Sequence, residues 1–402
     1  MRLTVKEKQK AARITASRYQ RASKKKKGAI LDEFVALTGY DRCYASYLLK
    51  NHGRKVWINS KVVTIGDICK RHKRRRQRTY GEDVLKPLKQ IWVIMDCICG
   101  KRLRPILKEL LAILHKHKEL RVTRETKKKL LRISAATIDR ILKTERKKYE
   151  LKGRSLTKPG TLLKHQIPIR TFSEWNEQKP GFVEIDLVGH EGGNPRGDFI
   201  QTLNVTDVCT GWTEMQAVKN KAQIWVFEAL KDIRMRLPFD LLGIDSDNGS
   251  EFINNHLVGF CRDEKITFTR SRSSRKNDNC FIEQKNYTIV RRYVGYARYD
   301  TETAQKLLHE LYGYLRLYVN FFQPVMKLTQ KIRIGSRVKK KYDKPQTPYQ
   351  RVLVSPFVPE NKKEALRQQY AQLNPADLRR QIAKLQDKLF KITDRTNIAC
   401  IT

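Results

Sequence analysis

Two stretches decide the fold: Gly181–His190 reads GFVEIDLVGH and Leu241–Phe252 reads LLGIDSDNGSEF. The first is a strand, apolar and β-branched, opened by the Pro180-Gly181 turn signal. The second is a short buried strand that runs into Asp247-Asn248-Gly249, a turn. Working outward, Phe199–Val208 and Trp212–Val218 read as two more strands joined through Thr210-Gly211. Ala222–Leu237 has the period of an amphipathic helix, Ile266–Thr269 is a fifth strand, and a longer helix begins near Asn279. Three strands, helix, strand, helix, strand, helix predicts a mixed α/β sheet with helices on its faces.

Three acids in this block are poorly explained by folding alone. Asp186 sits mid-strand in an apolar run, where a carboxylate is costly unless paired or metal-bound. Asp247 lies at a strand end, where α/β sheets gather functional groups, and Glu283 is flanked by Phe281 and Ile282 on a helix. If the first and fourth strands are neighbours, Asp186 and Asp247 meet and the helix can lay Glu283 beside them. Close carboxylates repel, and a divalent cation resolves the repulsion; oxygen-only ligands favour Mg²⁺ or Mn²⁺. Asp245 competes with Asp247, whose Asn-Gly context favours it, and His190 reads as a structural strand-end residue. Asn279, one turn before Glu283, and Lys285 and Asn286 just after it are placed to position phosphates, while Arg270, Arg272, Arg275 and Lys276 occupy the preceding loop and are expected to meet DNA.

The intervals and local words resemble the D,D-35-E signature of the integrase and transposase superfamily. Between Asp247 and Glu283 lie 35 residues, and the words are VEIDLVGH, DSDNGSEF and DNCFIEQKN, followed by Asn320-Phe321-Phe322-Gln323-Pro324. The resemblance covers about residues 181–325. It implies an RNase H-like catalytic core with Asp186, Asp247 and Glu283 as catalytic and metal-holding residues. It further implies two Mg²⁺ (or Mn²⁺) ions per site, a mobile loop before the last acid, and Asp186 as the bridging ligand. The histidine–cysteine zinc order found at the start of retroviral integrases does not occur here, and the layout is closer to that of bacterial insertion-sequence transposases.

Charge supports a nucleic-acid partner independently. The 402-residue chain holds 84 Lys+Arg against 41 Asp+Glu, a formal net charge of +43. Residues 1–180 carry 48 basic and 16 acidic side chains, residues 181–330 carry 19 of each, and residues 331–402 carry 17 and 6. Basic flanks that grip phosphates around a neutral middle is the simplest reading. No apolar run is long enough to span a membrane, the first residues lack a secretory h-region, and the scattered cysteines suit a reducing compartment, so a cytoplasmic, nucleoid-associated protein is expected.

The flanks read as an all-α helix-turn-helix region at 1–70, a second helical DNA-binding region at 71–150, a linker at 151–180, and a basic region at 326–402 ending in a helix. In the first, Thr38-Gly39-Tyr40-Asp41 separates two short helices, with Ala45 and Leu48 inward and Arg42, Ser46 and Lys50 outward. In the second, Ser134 caps a helix with Ile138, Ile141 and Leu142 buried and Arg140 and Lys143 exposed. Arg74, Arg75 and Arg76 belong to an arm that tracks a phosphate backbone. Lys339-Lys340-Lys341 lies in a basic connector, and Leu378, Ile382, Leu385 and Leu389 form the stripe of the final helix. The partner expected is double-stranded DNA, both element ends and target, with a multimer assembled on it and no nucleotide cofactor. Two further readings keep the same fold: a nuclease that cuts without joining, and a DNA-binding regulator with a vestigial core.

Overall fold

The computed structural model describes residues 3–59, 62–65, 79–146, 179–247, 249, 251–252, 255–271 and 280–399. The chain divides into two compact units, Met1–Thr79 and Tyr80–Thr402.

The first unit contains α1 (Val5–Arg21), α2 (Lys24–Thr38), α3 (Arg42–Asn51) and an antiparallel pair, β1 (Lys55–Asn59) and β2 (Val62–Ile65). Gly39 ends α2 in the left-handed region at φ 61°, a conformation glycine adopts without steric cost. The Asp41 side chain then accepts from the Cys43 and Tyr44 amides and starts α3. Ala45 and Leu49, one helical turn apart, are fully buried, whereas the expected inward residue Leu48 is only half-covered. That phase also turns Ser46 toward α1, where its hydroxyl meets Tyr19 Oη at 3.3 Å, so it does not face outward as expected. Gln20 closes the end of α3 by donating to the carbonyls of Leu49 and His52 at 3.0 and 2.8 Å.

The second unit begins with α4 (Glu82–Ile94), α5 (Gly100–Lys116), α6 (Arg124–Arg132), α7 (Ala135–Ile141) and α8 (Lys143–Arg146). Ser134 caps α7 by accepting from the Thr137 amide, and Ile138 and Leu142 are buried. These helices do not form a separate region. Their apolar faces share one continuous core with the sheet and the C-terminal helices, from Val84 through Leu389. The two compact units meet at 79/80.

The sheet contains β3 (Phe182–Gly189), β4 (Gln201–Asp207), β5 (Thr213–Val218), β6 (Gly243–Ser246) and β7 (Thr267–Arg270), in the order β5-β4-β3-β6-β7. The first three strands pair antiparallel and β6 and β7 join parallel, so the sheet is mixed, consistent with the RNase H-like core expected. The parallel joins are made possible by helical crossovers, α9 (Gln223–Arg236) and α10 (Asn255–Asp263). Past β7 the chain forms α11 (Cys280–Lys285), a π-helical stretch Asn286–Arg291, α12 (Arg292–Val294) and α13 (Glu302–Phe322). α11 packs on β3 and β4, α13 on β5, and α9 on β4 and β5.

The C-terminal part differs most from the sequence reading. The basic connector is a hairpin, β8 (Leu328–Ile334) and β9 (Arg337–Tyr342), followed by α14 (Pro348–Val354), α15 (Glu360–Gln372) and α16 (Pro375–Ala399). Leu378, Ile382, Leu385 and Leu389 are buried and α16 packs along α13, so the stripe is satisfied within the chain.

Two polar devices lock the edge strand β5. Asn320, from the asparagine–proline word, accepts from the Thr213 amide at 2.9 Å and donates to its carbonyl at 2.8 Å, acting as a third strand for one residue. The fully buried Glu214 accepts from Arg316 at 2.6 and 2.8 Å and from Trp212 Nε1 at 2.9 Å. Removing Arg316 would leave the buried carboxylate with only the longer contact to Arg236 Nε, at 3.4 Å, as a charged partner. Arg316→Met is therefore expected to lower unfolding free energy by about 3 kcal/mol in urea denaturation, with a loss below about 1 kcal/mol contradicting the assignment.

Candidate active site

Side chains alternate along a strand, and the register places like parities opposite one another. Glu184 and Asp186 of β3 therefore share a face with Thr206 and Asn204 of β4 and with Asp245 of β6. Asp247, two residues past Asp245, continues that face beyond the end of β6 at Ser246. The carboxylates thus come together because β3 and β6 are neighbours.

The three sequence-predicted acids influence one another. Asp186 has its carboxyl pushed up to about 8, first by burial, then by the charge of Asp247, with a smaller contribution from Glu283. Its Oδ1 accepts from the Leu187 amide at 2.8 Å and its Oδ2 from Asn286 Nδ2 at 2.6 Å. Asn286 is itself held by Asn204, which donates to Asn286 Oδ1 at 2.8 Å. Asp247 is partly exposed and its Oδ1 accepts from the Gly249 amide at 2.9 Å. Glu283 is exposed, on the first turn of α11. Asp245, by contrast, is fully buried and accepts from the Thr269 hydroxyl. The strand end leaves Asp247 the more accessible of the two.

Two neighbouring groups turn out to be structural. His190 is buried, its Nε2 lies 2.7 Å from Thr202 Oγ1, and burial pulls its imidazole down to about 3, so it stays neutral. Asp207 is buried too, accepting from the Gly181 and Thr210 amides at 2.9 and 2.6 Å, with burial raising its carboxyl to about 6.

Glu184 is the residue that sequence reasoning passed over. It is fully buried and its Oε2 accepts from the Ile282 amide at 2.8 Å, anchoring the first turn of the helix that carries Glu283. Burial raises its carboxyl well above the usual range; the Ile282 amide opposes this and the nearby Asp245 adds to it. An acid two residues before Asp186 on the same face was visible in VEID, but its amide partner lies 98 residues away.

The donor set suits a hard cation: Asp186, Asp247 and Glu283 offer oxygen only, and their mutual repulsion is what a divalent ion relieves. Among the described residues, no three His, Cys, Asp or Glu side chains converge closely enough to hold a metal as they stand. The fit is therefore one of chemistry and neighbourhood.

A protein of Sinorhizobium fredii, "Uncharacterized protein y4rM", is 40% identical over 334 residues, covering 83% of this chain and 91% of that one. The chain belongs to the y4rM family. No family model matches. Similar solved structures include the HTLV-2 integrase catalytic core domain in complex with magnesium, 14% identical, covering 37% of this chain and 91% of that one, at a TM-score of 0.29. The catalytic core domain of BIV integrase is 15% identical, covers 47% of this chain and 98% of that one, and also reaches a TM-score of 0.29. Scores that low give the likeness no weight in the reading of this site.

The residues expected to meet DNA belong to both units. Arg74, Arg75, Arg76, Arg272, Arg275, Lys276 and Asn279 lie outside the described residues. Arg42 is exposed and ion-paired with Asp32, and Lys50, Arg140 and Lys143 are exposed. Lys285 does not join the acids. Its Nζ donates to the Gly211 carbonyl at 3.3 Å within a cavity whose lining includes none of the three. Burial pulls its ammonium down to about 7, helped by the charges of Arg102 and Arg351.

These shifts set a pH dependence. Without metal, folded Asp186 keeps a proton up to about 8 that the unfolded chain releases near 3.8, so stability falls as pH rises through that window. Asp207 adds a similar fall between 3.8 and about 6. Asp247→Asn removes one repelling charge and leaves Asp207 untouched. In EDTA at about pH 8 it is expected to melt roughly 2 °C or more above the wild type. Equal or lower melting would show that Asp186 and Asp247 do not repel.

Proposed function

We propose that the chain is a metal-dependent DNA transposase of the D,D-35-E type, which cuts element ends and joins them to target DNA. The observation that carries this reading is the cluster of Asp186, Asp247 and Glu283, in which Asp186 is forced up to about 8 by burial and by its two acidic neighbours. Hydrolysis and transfer at a phosphodiester need carboxylates gathered in this way.

Asp186, Asp247 and Glu283 would hold Mg²⁺ or Mn²⁺, two ions by the family resemblance. Bound there, such ions supply a nucleophile from water or a 3′-hydroxyl and offset charge on the departing oxygen. The protein's own part is to bring the carboxylates to that state. Asp186 must give up the proton it keeps in their absence, and loading therefore strengthens as pH rises. Asn286 fixes Asp186 Oδ2, leaving the carboxylate one orientation. Glu184 anchors the helix start, so Glu283 approaches from a fixed direction. The basic flanks bring the phosphates in, a grip that salt weakens steeply.

The test uses the full chain with Mg²⁺, labelled element-end DNA and a plasmid target. Wild type is expected to give cut and joined products. Asp247→Asn should lose at least about a hundredfold of both while binding ends as before. Cutting without joining would replace this reading with a nuclease, and retained cleavage in the variant would remove Asp247 from the site. Asn286→Ala should lower turnover more than end binding, read as a kcat loss with the binding constant unchanged.

A further inference from the structure

The hairpin β8–β9 and the helical segment behind Glu283 enclose a cavity of about 870 Å³. Among the described residues its walls carry Arg102, Lys285, Arg292, Lys327, Lys331 and Lys340, against a single carboxylate, Asp96. Asp96 is already engaged: it pairs with Arg292 at 2.8 Å and accepts from Tyr293 Oη at 3.0 Å. Arg102, Lys285 and Lys327 donate instead to the neutral oxygens of Pro324, Gly211 and Cys209. Those bonds satisfy the donors without bringing a negative charge to them.

The hairpin makes the excess sharper. Between Leu328 and Tyr342 there are six Lys or Arg and no acid, and Lys331 lies directly across from Lys340. Like charges opposite one another weaken a strand pair. Both strands are exposed almost throughout, so no burial of the ribbon offsets that cost. A polyanion seated between the ribbon and the helix would turn the cost into binding energy.

The other lining residues narrow the ligand. Phe281, Val325, Met326 and Tyr342 give the basic walls apolar and aromatic surfaces. A cationic groove with aromatic faces suits a nucleic-acid strand whose bases are unpaired, because a duplex keeps its base faces stacked inside. Cavities of roughly 300–1,000 Å³ enclose small ligands, the size of a nucleotide or two. We propose that this cavity binds an unpaired DNA strand, with phosphates on Lys327, Lys331 and Lys340 and a base against Tyr342 or Phe281. The inference rests on the reading of the chain as one that acts on DNA, and it deepens that reading. The helix that offers Glu283 to the acid cluster offers Gln284 and Lys285 to this cavity, and the π-helical stretch that continues it adds Thr288, so one continuous segment would feel both the scissile phosphate and the strand leading from it.

The experiment measures binding of a labelled oligothymidylate of about ten nucleotides in EDTA, for wild type and for Lys331→Glu/Lys340→Glu. A photoreactive thymidine analogue in the same strand maps its contacts by mass spectrometry. The double variant is expected to bind about tenfold more weakly with a shallower salt dependence, and wild-type cross-links should fall on peptides holding Tyr342 or Phe281. Lys331→Gln/Lys340→Gln should bind at an intermediate level and melt no lower than wild type, showing that the fold is retained. Unchanged affinity in the charge-reversed variant, cross-links only elsewhere, or equal competition by duplex of the same length would each overturn the proposal. Because no metal is present, the readout is independent of cleavage. A strand that cross-links here in a protein that never cuts DNA upholds the cavity and removes the transposase reading; cutting without any cross-link here does the reverse.

Discussion

Like charges forced together in a place that water only partly reaches are the constraint around which the second unit is arranged. Glu184, Asp186, Asp245 and Asp247 follow one another along two adjacent strands on one face. A sheet selected for stability alone would fill that face with valine and leucine. Each acid is handled differently. Glu184 is given a backbone amide, Asp245 a hydroxyl, Asp186 an amide and the Asn286 side chain, and Asp247 an opening to solvent. Glu184 and Asp245 are fully buried, whereas Asp186 and Asp247 keep some exposure.

Holding such a face together needs reinforcement elsewhere, and the surrounding elements supply it. Asn320 and the Glu214–Arg316 pair fasten the free edge of the sheet to α13, and α16 lies along α13 in turn. The N-terminal helices of the unit close the same core. Stability sits in the periphery and strain in the middle, the distribution expected where function sets the central residues.

Much of this was legible because it is local. Strand alternation, the Ser134 cap, Gly39 in its left-handed turn and the spacing of Asp186, Asp247 and Glu283 are all written in short windows. Sequence periodicity failed where partners are distant or phase is fine. Leu49 displaces Leu48 by a single residue, too small an offset to read from apolar spacing. The hairpin Leu328–Tyr342 hides because cations occupy both its faces and Lys339-Lys340-Lys341 breaks the short alternation that Lys331–Ile334 begins. The role of Glu184 depends on an amide far along the chain. Lys285 follows Glu283 by two residues, which on a helix turns it roughly 200° away, and proximity in sequence became separation in space.

The parallel pairing of β3 with β6 carries one more consequence. A parallel neighbour cannot be reached by a tight turn, so the partner of Phe182–Gly189 arrives only after two antiparallel strands and a crossover helix have formed. During synthesis Asp186 leaves the ribosome long before Asp247, and the helix bearing Glu283 follows later still. A nascent chain therefore exposes its basic N-terminal segments while the acids are still apart. The acidic face is thus completed last, after the basic N-terminal segments have emerged.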